Sequence, residues 1–132
     1  MSERLRRNVE IARRLWRAAS EGDPKPLLEM APDVVWRTYG TGPYAGEFVG
    51  MDAVLDYLSV TGQGADDMRS ELVDIFASEQ GAIILHRSEF RRGPKTLDGL
   101  YFLWLRIEDG VVREVAAVPW EQARAASFWQ SH

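Results

Sequence analysis

The apolar positions of the chain change period part-way along it. Leu5, Val9, Ala12, Trp16 and Ala19 fall at three- and four-residue intervals, with Ile11 and Leu15 widening the stripe. That spacing predicts an amphipathic first helix. Gly22 ends it, and Asp23-Pro24 supplies an N-cap and a first-turn proline for a short second helix carrying Leu27, Leu28 and Met30, which Pro32 stops. Asp33 to Tyr39 is rich in β-branched and aromatic residues, the content of a strand, and runs into a long glycine-rich loop that begins Gly40-Thr41-Gly42-Pro43. Met51, Val54, Leu55 and Leu58 then return to helical spacing, a third helix closed by Gly62 and Gly64.

From Met68 onward the pattern is that of strands: Met68 to Ala77, Ala82 to Arg91, Thr96 to Ile107 and Val111 to Val118. The separators Ser-Glu-Gln-Gly, Arg-Gly-Pro-Lys and Glu-Asp-Gly are short enough to be hairpin connections, so neighbouring strands are expected to pair antiparallel. Gln122 to Trp129 is read as a last short helix that packs Phe128 and Trp129. Helices first and a meander of strands afterwards make an α+β fold, and 132 residues make one domain over 1–132.

Composition narrows the function classes. The chain has no cysteine, which removes disulfides, thiolate metal ligands and thiol nucleophiles and makes a cytoplasmic location the plain expectation. No apolar run approaches bilayer-spanning length, and the N-terminal stretch lacks the uninterrupted apolar segment of a leader, so no membrane partner is expected. A formal charge of −4 and a pI near 5.2 argue against nucleic acid, which asks for a basic surface. Arg4, Arg6, Arg7, Arg13, Arg14 and Arg17 are interleaved with apolar residues and with Glu3 and Glu10, the pattern of a solvated helix face.

The stretch Trp16-Arg-Ala-Ala-Ser-Glu-Gly-Asp23, then Asp33-Val-Val-Trp-Arg37, Ala45-Gly-Glu-Phe-Val-Gly-Met-Asp-Ala-Val54, Glu108-Asp-Gly110, Glu121-Gln122 and Ser127-Phe-Trp129 resembles the SnoaL-like branch of the superfamily that includes nuclear transport factor 2, ketosteroid isomerase and limonene epoxide hydrolase. The resemblance covers nearly the whole chain. It implies a cone-shaped cystatin-like roll, a strongly curved antiparallel sheet wrapped around N-terminal helices, often dimeric, with a pocket between the concave sheet face and the helices. Fold does not give function, since proteins of this superfamily isomerise, cyclise, hydrolyse, dehydrate or simply bind. Where ketosteroid isomerases carry an oxyanion tyrosine, a base aspartate and a second oxyanion aspartate, the resemblance places Leu15, Thr38 and Leu103. An isomerase of that type is therefore not expected. The Asp-Arg-Asp set of limonene epoxide hydrolases has no counterpart at matching places, and the aspartate of SnoaL-type cyclases falls on Leu103.

Strand alternation sorts the faces. With Leu103 inward, as the resemblance implies, Tyr101 and Leu105 share its face while Phe102, Trp104 and Arg106 take the other. The same reasoning turns Val34, Trp36 and Thr38 inward, and on the strand from Ala82 to Arg91 the resemblance, which aligns there without gaps, implies that His86, Ser88 and Phe90 face inward with Arg87 and Glu89 outward. His86 is the sharpest candidate for catalysis: the other histidine, His132, ends the sequence, so only His86 offers a base near neutrality from inside a pocket. A lone strand histidine is more often a satisfied structural residue than a catalyst. Tyr101 and Ser88 are candidate donors to a developing oxyanion. Candidate substrate contacts are Leu15, Trp36 and Thr38, then Leu58, Phe90 and Leu103, and Tyr39, which with Tyr44 flanks a loop able to close a cavity mouth.

Arg37 and Glu47 form a possible pair near the mouth, and Arg87 and Glu89 another on the outer face. Asp98 and Asp109 read as turn residues and Glu121 as a flank. With one usable His, no Cys and no His-Glu cluster, no metal is expected, and without a glycine-rich phosphate fingerprint no cofactor is either. Two readings remain open. One is a cofactor-independent isomerase, cyclase, dehydratase or hydrolase acting on an apolar carbonyl- or epoxide-bearing metabolite. The other is a binding protein that sequesters a hydrophobic small molecule without chemistry. Phe102, Trp104 and Arg106 on the outer sheet face suggest a homodimer under either reading.

Overall fold

A computed structural model describes residues 2–40, 43–63 and 67–130. Thr41, Gly42, Gly64 and His132, which the sequence singles out, lie outside the described residues. The first helix, α1 (Glu3–Glu21), starts where the Ser2 hydroxyl accepts the Leu5 N–H at 3.1 Å and stops at Gly22, whose φ of 73° is the left-handed conformation that closes a helix. Asp23 caps the next turn by accepting the Lys25 N–H at 3.0 Å, but α2 (Lys25–Leu28) ends before Met30 and Pro32. Tight Met30-to-Leu27 and Glu29-to-Pro26 bonds replace the helical ladder there.

Six strands form one sheet in the order β2-β1-β6-β5-β4-β3. They are β1 (Val35–Thr38), β2 (Gly46–Val49), β3 (Asp67–Ser78), β4 (Gly81–Arg92), β5 (Lys95–Glu108) and β6 (Val111–Pro119), with α3 (Met51–Gln63) between β2 and β3 and α4 (Gln122–Trp129) at the end. The last four strands make the expected antiparallel meander. Two features correct the sequence reading. The stretch read as one long loop contains β2, a short strand held by antiparallel pairing to β1. And β1 joins the meander by pairing parallel to β6, so the sheet is mostly rather than wholly antiparallel.

The core sits between the concave sheet face and α1. Val34, Val54, Ile84, Leu105 and Val115 are fully buried there, beside Ala12 and Leu15 of the helix stripe. Asn8, buried in α1, donates from its side-chain amide to the Ser78 carbonyl at 2.8 Å and ties the helix to the end of β3. A second cluster gathers Leu97, Ala125 and Phe128 with Phe90, Tyr101 and Trp129 around α4. Lys95 donates to the Ser127 carbonyl, and Arg92 to the carbonyls of Phe128 and Gln130, placing cations at the negative end of α4.

The convex face carries both charge and apolar surface. Arg37 pairs with Glu47 at 2.8 Å, as the sequence suggests, and also reaches Glu114 at 3.3 Å. Glu114 in turn holds Arg106, which also pairs with Glu108, so four strands are laced by one ion-pair chain. Arg87 pairs with Asp98 at 3.6 Å, not with Glu89. Asp98 lies within β5 facing its partner strand, which corrects its reading as a turn residue. Asp109 does sit in the β5–β6 turn, at a φ of 50° that short polar side chains tolerate.

Candidate functional site

The concave face and the helices leave a cavity of about 570 Å³, a volume suited to a small organic molecule. Its walls come from α1, α3, α4 and the inward residues of the strands. His86, Ser88 and Tyr101 all line it, as do Leu15, Trp36, Thr38, Tyr39, Leu58, Phe90 and Leu103. Tyr44, at the loop, also contributes to the wall, and Phe102 borders the cavity from a position whose side chain alternates to the other face, where its ring meets Trp120. Among the described residues that line it, Asp23 alone carries a formal charge, and its carboxylate is occupied by the Lys25 N–H. The interior is thus aromatic and aliphatic with scattered neutral polar groups.

His86 projects from β4 between two aromatic rings. The Trp16 indole of α1 lies with its centroid 5.0 Å away, and the Tyr101 ring of β5 lies 5.4 Å away and nearly parallel, at 13°. His86 Nδ1 is 2.8 Å from Ser88 Oγ, and that hydroxyl is 2.7 Å from Ser70 Oγ on β3. The pairings His86 to Tyr101 and Ser70 to Ser88 put these groups on one inward stripe. Nε2 has no protein partner among the described residues. Burial away from water pushes the imidazole down to about 4, so it is neutral at pH 7. Burial likewise pushes the Tyr101 phenol up to about 12, with Arg124 opposing, and it stays protonated.

A neutral imidazole bonded at Nδ1 has two arrangements. If Ser88 donates to Nδ1, Nε2 carries a hydrogen and is a donor to the cavity; if Nδ1–H donates to Ser88, Nε2 is an acceptor and Ser88 donates to Ser70. The serine chain can accommodate both. Ser88 is buried, so its two hydroxyl contacts satisfy it without water.

A second polar group faces the cavity from the other side. Thr38 Oγ1 on β1 and Tyr57 Oη on α3 are 2.6 Å apart. Tyr57 stacks on Phe48 with centroids 4.0 Å apart and lies 6.5 Å from Trp36. Burial raises its phenol above the ordinary value. The Trp36 indole N–H beside it is buried without an acceptor. The sequence reading missed Tyr57, Trp16, Ser70 and Trp129 as lining residues. Tyr57 had a partial signal: Val54, Tyr57, Leu58 and Thr61 fall at i, i+3, i+4 and i+7 and form the inward face of α3, a stripe that overlaps the equally spaced one through Met51, Val54, Leu55 and Leu58. Ser70 could be found only from the β3–β4 register.

No group of three or more potential metal-ligating side chains occurs among the described residues. No described helix is long and apolar enough to cross a membrane.

Residues 12–115 match the family model of the SnoaL-like domain. The chain belongs to that family. Its relatives include the uncharacterized protein Rv0034 of Mycobacterium tuberculosis, 29% identical over 125 residues that cover 92% of this chain and 95% of the relative. Among solved structures it is similar to Bal32a from a soil-derived mobile gene cassette, with a TM-score of 0.89 at 24% identity over 97% of this chain and 100% of that one. It is also similar to a protein with a cystatin-like fold from Xanthomonas campestris, with a TM-score of 0.86 at 27% identity over 94% and 98% of the two chains. These likenesses agree with the curved-sheet fold described above.

Proposed function

We propose that this SnoaL-like domain binds an uncharged, largely apolar, carbonyl- or epoxide-bearing small molecule in its cavity, and that His86 and Tyr101 act on the oxygen of that molecule. The observation that carries this reading is the pair itself: a neutral imidazole and an un-ionised phenol side by side on a water-poor aromatic wall. With a pKa near 4 the imidazole is a weak base, so removing a proton from carbon is not its best use. As hydrogen-bond donors, Nε2–H and the Tyr101 hydroxyl can polarise a carbonyl or stabilise an oxyanion as it develops. The tautomer this role uses is the one in which Ser70 donates to Ser88 and Ser88 to Nδ1, leaving the hydrogen on Nε2. That chemistry suits a cofactor-independent cyclisation, isomerisation or ring opening in which the substrate supplies its own acidic proton or reactive electrophile.

The lack of any carboxylate among the described lining residues other than Asp23 favours a second reading, sequestration without turnover. Two experiments separate the readings. Native mass spectrometry of protein purified under gentle conditions should show a bound small molecule that Leu103→Trp, which puts an indole into the middle of the cavity floor, retains less; equal occupancy in both would sink the cavity as a ligand site. Solvent-deuterium exchange into the methyl group of 2-acetylnaphthalene, followed by NMR, then reads polarisation of a carbonyl. Acceleration over buffer by the wild type but not by His86→Leu, which has no donor, supports catalysis, and no acceleration over buffer by either supports sequestration.

We further propose that a second copy packs on the outer sheet face. Phe76, Ile83, Trp104 and Ala116 form one outward row across four strands, and Leu85, Phe102 and Val118 form the next. Phe76, Trp104 and Trp120 are all exposed, and such a belt on a sheet favours burial against a partner. Arg106 borders the belt, but its guanidinium is committed to Glu108 and Glu114 of its own chain.

A further inference from the structure

We infer that the cavity has a second polar subsite, built by the hydroxyls of Thr38 and Tyr57, which takes an acceptor oxygen of the ligand at the end opposite His86 and Tyr101. The inference deepens the proposed function and rests on the cavity's being a ligand site.

The chemistry of the two groups points to an acceptor. In the 2.6 Å contact between Thr38 Oγ1 and Tyr57 Oη one hydroxyl donates to the other, whichever way it runs, so one O–H remains uncommitted. Both residues line the cavity, and the Trp36 ring 6.5 Å from that of Tyr57 adds an aromatic wall beside them. One spare donor, with no cation among the described residues lining the cavity, matches a carbonyl, ether or hydroxyl oxygen rather than a carboxylate or phosphate.

The register places this subsite away from the first. Thr38 pairs with Ala117, Ala117 with Leu103, and Leu103 with Ile84, while Tyr101 and His86 lie two residues further along their strands. Strand spacing and rise put Tyr101 about 12 Å and His86 about 16 Å from Thr38 along the sheet surface, and curvature brings the side-chain tips nearer than that. Ala117, Leu103 and Ile84 floor the interval with apolar side chains. A flat, uncharged body with an oxygen at each end meets donors at both subsites and hydrocarbon between them.

Three probes of one shape test this: naphthalene, 2-acetylnaphthalene and 2,6-diacetylnaphthalene, titrated by calorimetry against the wild type, Thr38→Val and Tyr57→Phe. Affinity is expected to rise at each added carbonyl. Each substitution should weaken the diketone about five- to tenfold, the effect of one lost hydrogen bond, and leave naphthalene unchanged. Both replacements keep the shape of the side chain, and a thermal melt within a few degrees of wild type shows the fold is retained. A diketone that binds no tighter than the monoketone, or a Tyr57→Phe loss equal for naphthalene and the diketone, overturns the second subsite while leaving the ligand cavity standing. No saturable binding of any of the three overturns the cavity reading and the subsite together.

Discussion

His86 and Tyr101 face each other across the β4–β5 pair, their rings 5.4 Å apart and inclined by only 13°. Each is held in its uncharged form by the same burial, so the two titrations move in opposite directions, the histidine down and the tyrosine up. The wall they share is neutral over the whole range in which proteins normally work.

Acid should destabilise the fold through His86. The imidazole titrates near 4 when folded and near 6.5 when unfolded, so between those values the unfolded chain binds the extra proton. Stability is therefore full above about pH 6.5, falls as pH drops towards 4 and levels off below, with a loss on the order of 3 kcal/mol from this group. Urea melts of wild type and His86→Gln across this range check it: the variant's curve should be flatter by that amount, and parallel curves would contradict the assignment.

Alkaline titration followed at 295 nm should resolve a late tyrosine. Of the four tyrosines, Tyr101 is expected to ionise near pH 12. In Tyr101→Phe that last step should disappear while the others are kept.

Ser88→Ala removes the hydroxyl that bonds both His86 and Ser70. Because the site is buried, the stranded partners should cost about 1–3 kcal/mol in chemical denaturation. The His86 side-chain nitrogen shifts should also move, since the tautomer loses its anchor.

Gly81→Ala should be among the most damaging single methyl additions. A Cβ there would run into the carbonyl oxygen of Leu105, which is backbone and has no room to yield. The expected loss is about 3 kcal/mol or more, and a variant within about 0.5 kcal/mol of wild type would mean that β4 and β5 are not in the register described.

Trp104→Lys places a charge in the middle of the exposed apolar belt without touching the cavity. Sedimentation should show the variant shifted to monomer at concentrations where the wild type self-associates. Equal sedimentation of the two would remove the outer face as the contact.

The meander and its two faces were legible because short separators dictate hairpins and alternation dictates sides. Alternation groups His86, Ser88 and Phe90 on one face, and the family resemblance says that this face is the inner one. What stayed hidden depends on contacts between distant segments. Gly46-Glu-Phe-Val49 shows no strand pattern, with Val49 exposed and glycine at its start; it is a strand because β1 lies beside it. Asp98 read as a turn residue because aspartate avoids strands, but outward beside Arg87 its charge has a partner. Tyr57 was passed over because its helix offers two overlapping apolar stripes, and only packing against Phe48 and Trp36 selects between them.

The parallel pairing of β1 with β6 also governs when the molecule can be assembled. Val35 to Thr38 find their ladder partners at Glu114 to Ala117, and Ala31 bonds Val112, all nearly eighty residues later in the chain. A ribosome must therefore deliver β6 before β1, which until then has only β2 beside it, can join the meander, and closing so large a loop slows the search. A nascent chain stalled before Val111 would display Trp36 and Phe48 to chaperones as unclaimed surface, and would have no chamber at all.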